Sequence, residues 1–143
     1  MAVTAKKFSY DVRLEDGGVM LADGQGALSA PEVWKPDHFL VAALLTCTLE
    51  SLLYHAERAG VEASGRGEGH ALVTKRDPDG RYAVVEIAVS YEIALEPDPG
   101  DAGIAALLFK AERDCFVGAS LTAEPEYSWN VNERAVSARA APS

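Results

Sequence analysis

The stretch that decides the fold runs from Pro36 to Gly60 and reads PDHFLVAALLTCTLESLLYHAERAG. Neither proline nor glycine interrupts it between Asp37 and Ala59. Pro36 suits a first helical turn, Asp37 favours the positive end of the helix dipole, and Gly60 can end the helix. Between residues 39 and 53 the segment is apolar nearly all round, which predicts a long helix buried inside the protein.

The same segment must be distinguished from a membrane span. Glu50 and the polar tail Glu57–Arg58 interrupt its apolar run, so we expect a helix in a protein core and no membrane partner. A helix that is apolar on all sides needs cover on more than one side. One small sheet does not supply that cover, which suggests that a second subunit does.

Alternating segments predict strands on both sides of this helix. Upstream, residues 8–14 and 19–22 flank a glycine turn and predict a hairpin, with a further short segment at 27–29. Downstream, the pattern predicts strands at 70–74, 82–95 and 125–131 and a second helix from about 101 to 115. The apolar face of the long strand carries Val85, Ile87, Val89, Tyr91 and Ile93.

This order of elements predicts an α+β fold in which mostly antiparallel sheet covers the helices. The length of 143 residues suits one domain. We therefore expect residues 1–143 to form a single domain, with residues 135–143 as a frayed tail.

Charge and composition exclude some classes of function. The chain carries 13 Lys and Arg against 22 Asp and Glu, a net charge of -9. Because phosphate binding needs clustered cations, we expect no nucleic-acid partner. The first residues do not resemble a secretory signal, and two cysteines without one predict a reducing compartment, the cytoplasm.

The two cysteines are the candidate reactive groups. Cys47 lies in the middle of the first helix, on a seam with Leu40, Leu44, Ser51 and Tyr54. Cys115 lies at the end of the second helix, on a face with Ile104, Leu108 and Ala111. If the helices pack together, a Cα separation of roughly 4–7 Å would allow a disulfide. Spacing alone leaves open that both cysteines are only small buried apolar residues.

Three blocks of sequence resemble one known family. They are PDHFLVAALLTC at 36–47, KAERDCFVGASL at 110–121 and YSWNV at 127–131. In this order they are similar to the helix, the second-cysteine segment and the last strand of the OsmC/Ohr family (osmotically inducible protein C and organic hydroperoxide resistance protein). Phe116 follows Cys115 where the peroxidases of the family usually carry proline. The chain therefore looks like a divergent OsmC-like branch.

The resemblance implies a function and an assembly. It implies a thiol-dependent peroxidase for organic hydroperoxides in oxidative-stress defence, with Cys47 peroxidatic and Cys115 resolving. It also implies a redox-active disulfide reduced by an external dithiol, with no other cofactor. The expected assembly is an intertwined homodimer with the active sites at the interface.

A cysteine in an apolar helix needs a nearby positive charge to form a reactive thiolate. Apolar surroundings raise the pKa of a thiol, and Cys47 lies roughly 11 residues inside its helix, beyond the reach of the helix dipole. The resemblance implies that an arginine, best matched by Arg13, activates Cys47 and that Asp37 holds this arginine. Since ten helical residues span about 15 Å, Asp37 would serve the Cys47 of a partner subunit. An ordinary solvated strand arginine is the alternative for Arg13.

The remaining predictions concern the substrate pocket, metal binding and alternative functions. Trp34, Phe39 and Phe116 could be apolar walls of the substrate pocket, or ordinary packing residues. His70 has no metal-ligand spacing to either cysteine, so we expect no metal site. The alternative function is a non-catalytic OsmC-like protein that binds a small apolar ligand at the dimer interface, its cysteines structural. A stress-associated interaction protein is a third.

Overall fold

A computed structural model describes residues 5–16, 18–29, 32 and 34–139 of the chain. It divides the chain into two compact units, Met1–Lys35 and Pro36–Ser143. The first unit contains only strands and the second contains helices and strands, so the α+β prediction is confirmed.

The first unit is a three-stranded antiparallel sheet. Its strands are β1 (Val12–Leu14), β2 (Val19–Ala22) and β3 (Gln25–Ser29), in the spatial order β1-β2-β3. The predicted hairpin and the short third segment are therefore present, although β1 is shorter than the alternating segment 8–14. Asp23 and Gly24 both adopt positive φ, which gives the tight turn between β2 and β3.

The second unit contains three helices and a four-stranded sheet. Its elements are α1 (Pro36–Arg58), β4 (Glu62–Lys75), β5 (Tyr82–Glu96), α2 (Gly100–Arg113), α3 (Phe116–Ser120), β6 (Glu126–Val131) and β7 (Arg134–Val136). The spatial order is β4-β5-β6-β7. All pairs are antiparallel except β5 with β6, which run parallel because α2 and α3 form the crossover between them.

Several boundaries differ from the predicted ones. β4 begins at Glu62, before the predicted strand start at residue 70, and takes in the glycine-rich stretch 64–69. A bulge in the β4–β5 pairing skips Val85 and places Val84, instead of Val85, against the core. Ala135 and Val136 belong to β7, where a frayed tail was predicted to start; residues 140–143 lie outside the described residues.

The core lies between one face of the sheet and the helices α1 and α2. It is apolar almost throughout, with Leu44 and Leu52 from α1, Ile87 from β5, and Ile104 and Leu108 from α2, each at most 1% exposed. Burial at this level contributes about 1.5–3 kcal/mol for each such side chain. This packing holds α1 next to α2 and next to Cys115, the core residue that follows α2.

The central helix is less buried than its composition predicts. Only the stripe Leu44, Thr48, Leu52 and Ala56 is buried. This stripe, spaced by four residues, replaces the predicted seam, whose last member Tyr54 is 56% exposed. By length and composition α1 could also cross a membrane (mean hydropathy 1.5), a criterion that core helices of soluble proteins meet too. The expectation that α1 does not cross a membrane stays a prediction.

Candidate functional site

Cys115 lies where α2 ends and α3 begins. The sequence predicts it inside the second helix, but α2 ends at Arg113, and Cys115 has extended backbone angles (φ -78°, ψ 108°) as the N-cap of α3. Its Sγ accepts a hydrogen bond from the backbone N–H of Gly118 at 3.4 Å. The side chain is 1% exposed. Cys115 thus faces the core as predicted, from a junction between two helices.

Two hydroxyl groups join Cys115 to α1 and β6. The Oγ1 of Thr48 donates to the Sγ of Cys115 at 3.3 Å. The same Oγ1 lies 3.3 Å from the phenolic oxygen of Tyr127. Burial raises the pKa of Tyr127 to about 12, so its phenol stays protonated at neutral pH. Cys115 therefore lies at the end of a short chain of hydroxyl groups.

Cys47 precedes Thr48 on α1 and lies beside Cys115. Both thiols are free, and Cys47 is half-buried whereas Cys115 is buried. Burial raises the pKa of Cys47, the backbone N–H of Val117 opposes that rise, and the neighbouring Cys115 adds to it. The net direction is upward. The structure thus brings the two predicted cysteines together at the first turn of α3.

Two side-chain pairs hold the segment around Cys115. His55, at the end of α1, lies with its Nε2 2.7 Å from the Oδ2 of Asp114. Glu112 accepts a hydrogen bond from the indole Nε1 of Trp129 at 2.8 Å, and burial raises the pKa of this carboxyl. These contacts connect the residues just before Cys115 to α1 and β6. They limit how far its sulfur can move.

Aromatic rings pack around the indole of Trp129. Trp129 stacks on Tyr91 with ring centroids 4.6 Å apart and lies parallel to Tyr127 at 6.1 Å. The hydroxyl of Tyr91 donates to the backbone oxygen of Leu45 at 2.8 Å, which connects β5 to α1. A cavity of about 370 Å³, lined in part by Glu112, Gly118 and Tyr127, opens beside the Cys115 junction.

Sequence reasoning missed most of the groups around the sulfurs. Glu112, Tyr127 and Trp129 lie inside blocks that resemble the family but have no predicted role there, and Thr48 and His55 have none either. One signal was available for Thr48: it is a polar residue on the apolar stripe of α1, four residues from Leu44. Among the described residues, Thr48 is the one polar side chain with no exposure.

The other predicted site residues are spread over both units. Arg13 is in β1, and its Nε pairs with Glu15 Oε1 at 2.8 Å. Trp34 also belongs to the first unit. Asp37 and Phe39 lie in the first turn of α1, and Phe116, which is 69% exposed, begins α3. Their roles toward Cys47 and the substrate stay predictions.

Within the described ranges, 5–16, 18–29, 32 and 34–139, no three His, Cys, Asp or Glu side chains cluster in a way that could hold a metal ion.

Comparison with known proteins identifies the family of the chain. The OsmC-like protein family matches residues 29–130. No curated protein matches the chain in sequence.

Solved structures share the fold. An OsmC-like protein of unknown function from Vibrio cholerae superposes with a TM-score of 0.70 at 16% identity, covering 87% of this chain and 99% of that one. An OsmC-like protein from Mycoplasma pneumoniae gives 0.67 at 17% identity, covering 90% and 99%. The organic hydroperoxide resistance protein of Bacillus subtilis gives 0.54 at 16% identity, covering 87% and 96%. At these identities the similarity shows the fold.

Proposed function

Because the chain belongs to the family of OsmC-like proteins, some of whose members are organic hydroperoxide resistance proteins, we propose that it is a thiol-dependent peroxidase acting in oxidative-stress defence. Its substrates are organic hydroperoxides, Cys47 is the attacking residue and Cys115 the resolving one. The observation that carries the proposal is the pair of free thiols side by side at the start of α3.

The two thiols differ in a way that favours these roles. Cys47 is half-buried and therefore accessible to a small substrate, whereas Cys115 is 1% exposed and sheltered from it. The backbone N–H groups of Val117 and Phe116 lie within reach of the Cys47 sulfur and lower its pKa against the effect of burial. Peptide N–H groups aimed at a sulfur stabilise its thiolate and then the oxygen it acquires.

The reaction has three steps. The Cys47 thiolate attacks the outer peroxide oxygen, the O–O bond breaks, the alcohol leaves after taking up a proton, and Cys47 becomes a sulfenic acid. Cys115 then attacks the Cys47 sulfur, the S–O bond breaks, and water leaves with the thiol proton as the disulfide forms. An external dithiol reduces that disulfide by exchange and is itself oxidised.

Apolar surroundings support an organic substrate. The aromatic side chain of Phe116, the residue after Cys115, is 69% exposed. An alkyl group next to the peroxide can bury apolar surface there, which hydrogen peroxide cannot do. We also propose that Trp34 and Phe39 contact the apolar part of the substrate.

One observation favours the alternative function. The pKa of Cys47 is raised, and a thiol that stays protonated reacts slowly with peroxide. A non-catalytic protein that binds a small apolar ligand would tolerate this, since its cysteines would serve only in packing.

Thiol titration with stoichiometric cumene hydroperoxide tests the proposal. Wild-type protein should lose both thiols rapidly and form a Cys47–Cys115 disulfide. Cys47→Ser should abolish the reaction, and Cys115→Ser should keep the first step and accumulate the sulfenic acid, which dimedone traps. Two thiols in the wild type that stay inert would overturn the peroxidase and favour the ligand-binding alternative.

A further inference from the structure

Thr48 is a hydroxyl group placed inside an apolar core, and its partner is the buried sulfur. Its Oγ1 donates to the Sγ of Cys115 at 3.3 Å, and the residue has no exposure. We propose that Thr48 is a catalytic residue of the second step, stabilising negative charge on the Cys115 sulfur as it attacks Cys47. The inference rests on the proposed function of the cysteine pair and concerns a group which that function does not assign.

The hydrogen bonds around Thr48 have one consistent direction. A hydroxyl carries a single proton, and Thr48 uses it on the sulfur of Cys115. The short contact of 3.3 Å between Thr48 and Tyr127 must then use the proton of Tyr127. Tyr127 donates to Thr48 and Thr48 to Cys115, so each bond polarises the next toward the sulfur. Tyr127 acts through Thr48 and is a positioning residue.

A second donor converges on the same atom. The backbone N–H of Gly118 donates to the Cys115 Sγ at 3.4 Å. A Cβ on Gly118 would come within 3.3 Å of the Tyr127 hydroxyl and 3.6 Å of the Cys115 sulfur, so the glycine leaves room for this arrangement. Two donors from different elements, α1 and α3, thus face one sulfur.

The second step is where such donors matter. Cys115 gives up its proton while it forms the S–S bond, and the hydroxide displaced from Cys47 takes that proton and leaves as water. The attacking sulfur therefore carries negative charge where it is 1% exposed to solvent. Fixed donors replace the missing water, and removing one such donor typically slows a step by about tenfold to a thousandfold.

The effect of Thr48 is measured with Ellman's reagent, which bypasses the peroxide. The reagent forms a mixed disulfide with the more accessible Cys47, and Cys115 then attacks that sulfur and releases a second thionitrobenzoate. Thr48→Val keeps the shape of the side chain and removes its hydroxyl. We expect the second release to slow by about tenfold or more, with the first release unchanged.

Matched variants separate chemistry from packing. Thr48→Ser restores the hydroxyl and should restore the second release. Thr46→Val removes a hydroxyl from the exposed side of the same helix, where it donates to the Ala42 carbonyl at 2.8 Å, and should change neither release. Tyr127→Phe, which keeps the ring, should slow the second release about threefold because Thr48 loses its donor.

The outcomes are distinguishable. A wild-type rate of second release in both Thr48→Val and Tyr127→Phe would overturn the inference, and so would a slow Thr48→Ser. If Thr48→Val does not fold, Tyr127→Phe decides alone. Wild-type thiols that resist cumene hydroperoxide, with a second release that still depends on Thr48, would overturn the proposed peroxidase and leave the role of Thr48 standing.

Discussion

Cys47 is subject to opposing influences on its ionisation. Burial and the neighbouring Cys115 raise its pKa above the ordinary thiol value of 9.0, and the backbone N–H of Val117 lowers it by less. Below the pKa of a thiol, the thiolate fraction falls about tenfold for each unit of pH. A fast reaction at neutral pH therefore needs a further source of positive charge, and Arg13 is the residue we propose.

The pH dependence of the oxidation rate in Arg13→Ala tests this role. The thiolate is favoured above the pKa, so a raised pKa moves the rising part of the rate profile toward alkaline pH. We expect the rate of Cys47 oxidation by cumene hydroperoxide to reach its plateau at lower pH in the wild type than in Arg13→Ala. At pH 7 the variant should react about tenfold more slowly.

The control for this prediction is another strand arginine. Arg66→Ala removes an exposed cation from β4 and should leave the profile unchanged. Coincident profiles for the wild type and Arg13→Ala would contradict the activating role and leave the solvated strand arginine as the better interpretation.

At this scale the sequence identifies the sulfurs but not their partners. A family pattern points to Cys47 and Cys115, because reactive cysteines have recognisable neighbours along the chain. Thr48 and Tyr127 act through space: 79 residues separate them, and their contact exists only once α1 and β6 pack on the same core. No local pattern encodes such a meeting.

At the scale of elements, β4 owes its form to glycine. Gly65, Gly67 and Gly69 occupy alternate positions on one face of the strand, in a stretch where the sequence predicts no strand. Gly67 pairs with Tyr91 of β5, and a Cβ there would come within 2.7 Å of the ring carbon Cδ1. The ring lies over the space that a side chain would fill. A strand results because tertiary packing outweighs the weak strand propensity of glycine.

We expect Gly67→Ala to destabilise the protein. The added methyl must displace Tyr91, whose hydroxyl connects β5 to α1 through Leu45. Overpacking of this kind typically costs about 1–3 kcal/mol of unfolding free energy, which urea denaturation measures. Ser64→Ala, an exposed position on the same strand, should change stability by less than about 0.5 kcal/mol. Equal stability of the two variants would contradict the packing role of Gly67.

The boundary of α2 shows another limit of local patterns. The periodic face formed by Ile104, Leu108 and Ala111 predicts burial of Cys115 correctly, but extends the helix too far. The chain leaves the helix at Asp114, whose carboxylate pairs with His55 at 2.7 Å. The guanidinium of Arg113 also contacts Asp114. Together with His55 it lowers the pKa of Asp114 to about 2. The contact with His55 joins residues 59 positions apart in the chain, so it leaves no periodic signal.

At the scale of the whole molecule, the described residues leave much of α1 uncovered. Only 22% of its most apolar 18-residue window is buried. Leu53 and Tyr54 of this helix are 37% and 56% exposed. Because exposed apolar area of this extent is unfavourable in water, we propose that a second copy of the chain covers α1, as the homodimer prediction requires. Its Asp37 could then serve the Cys47 of the partner.

Introducing a charge on this surface would test the dimer. Leu53→Lys introduces a charge on α1 and should shift the protein from dimer to monomer, or weaken the dimer at least tenfold, in sedimentation equilibrium. Leu72→Lys changes an equally exposed leucine (42%) on β4 and should leave the dimer unchanged. A wild type that is monomeric at all concentrations would contradict the prediction.

The ring stack described above also gives the protein an optical reporter. The chain has two tryptophans, and Trp129 lies between two tyrosine rings while donating to a carboxyl whose pKa is raised. Indole emission responds to the polarity and charge beside the ring, and Tyr127 connects this ring to the hydroxyl chain that ends at Cys115. With Trp34 replaced by phenylalanine, fluorescence from a single residue would follow each turnover without a label.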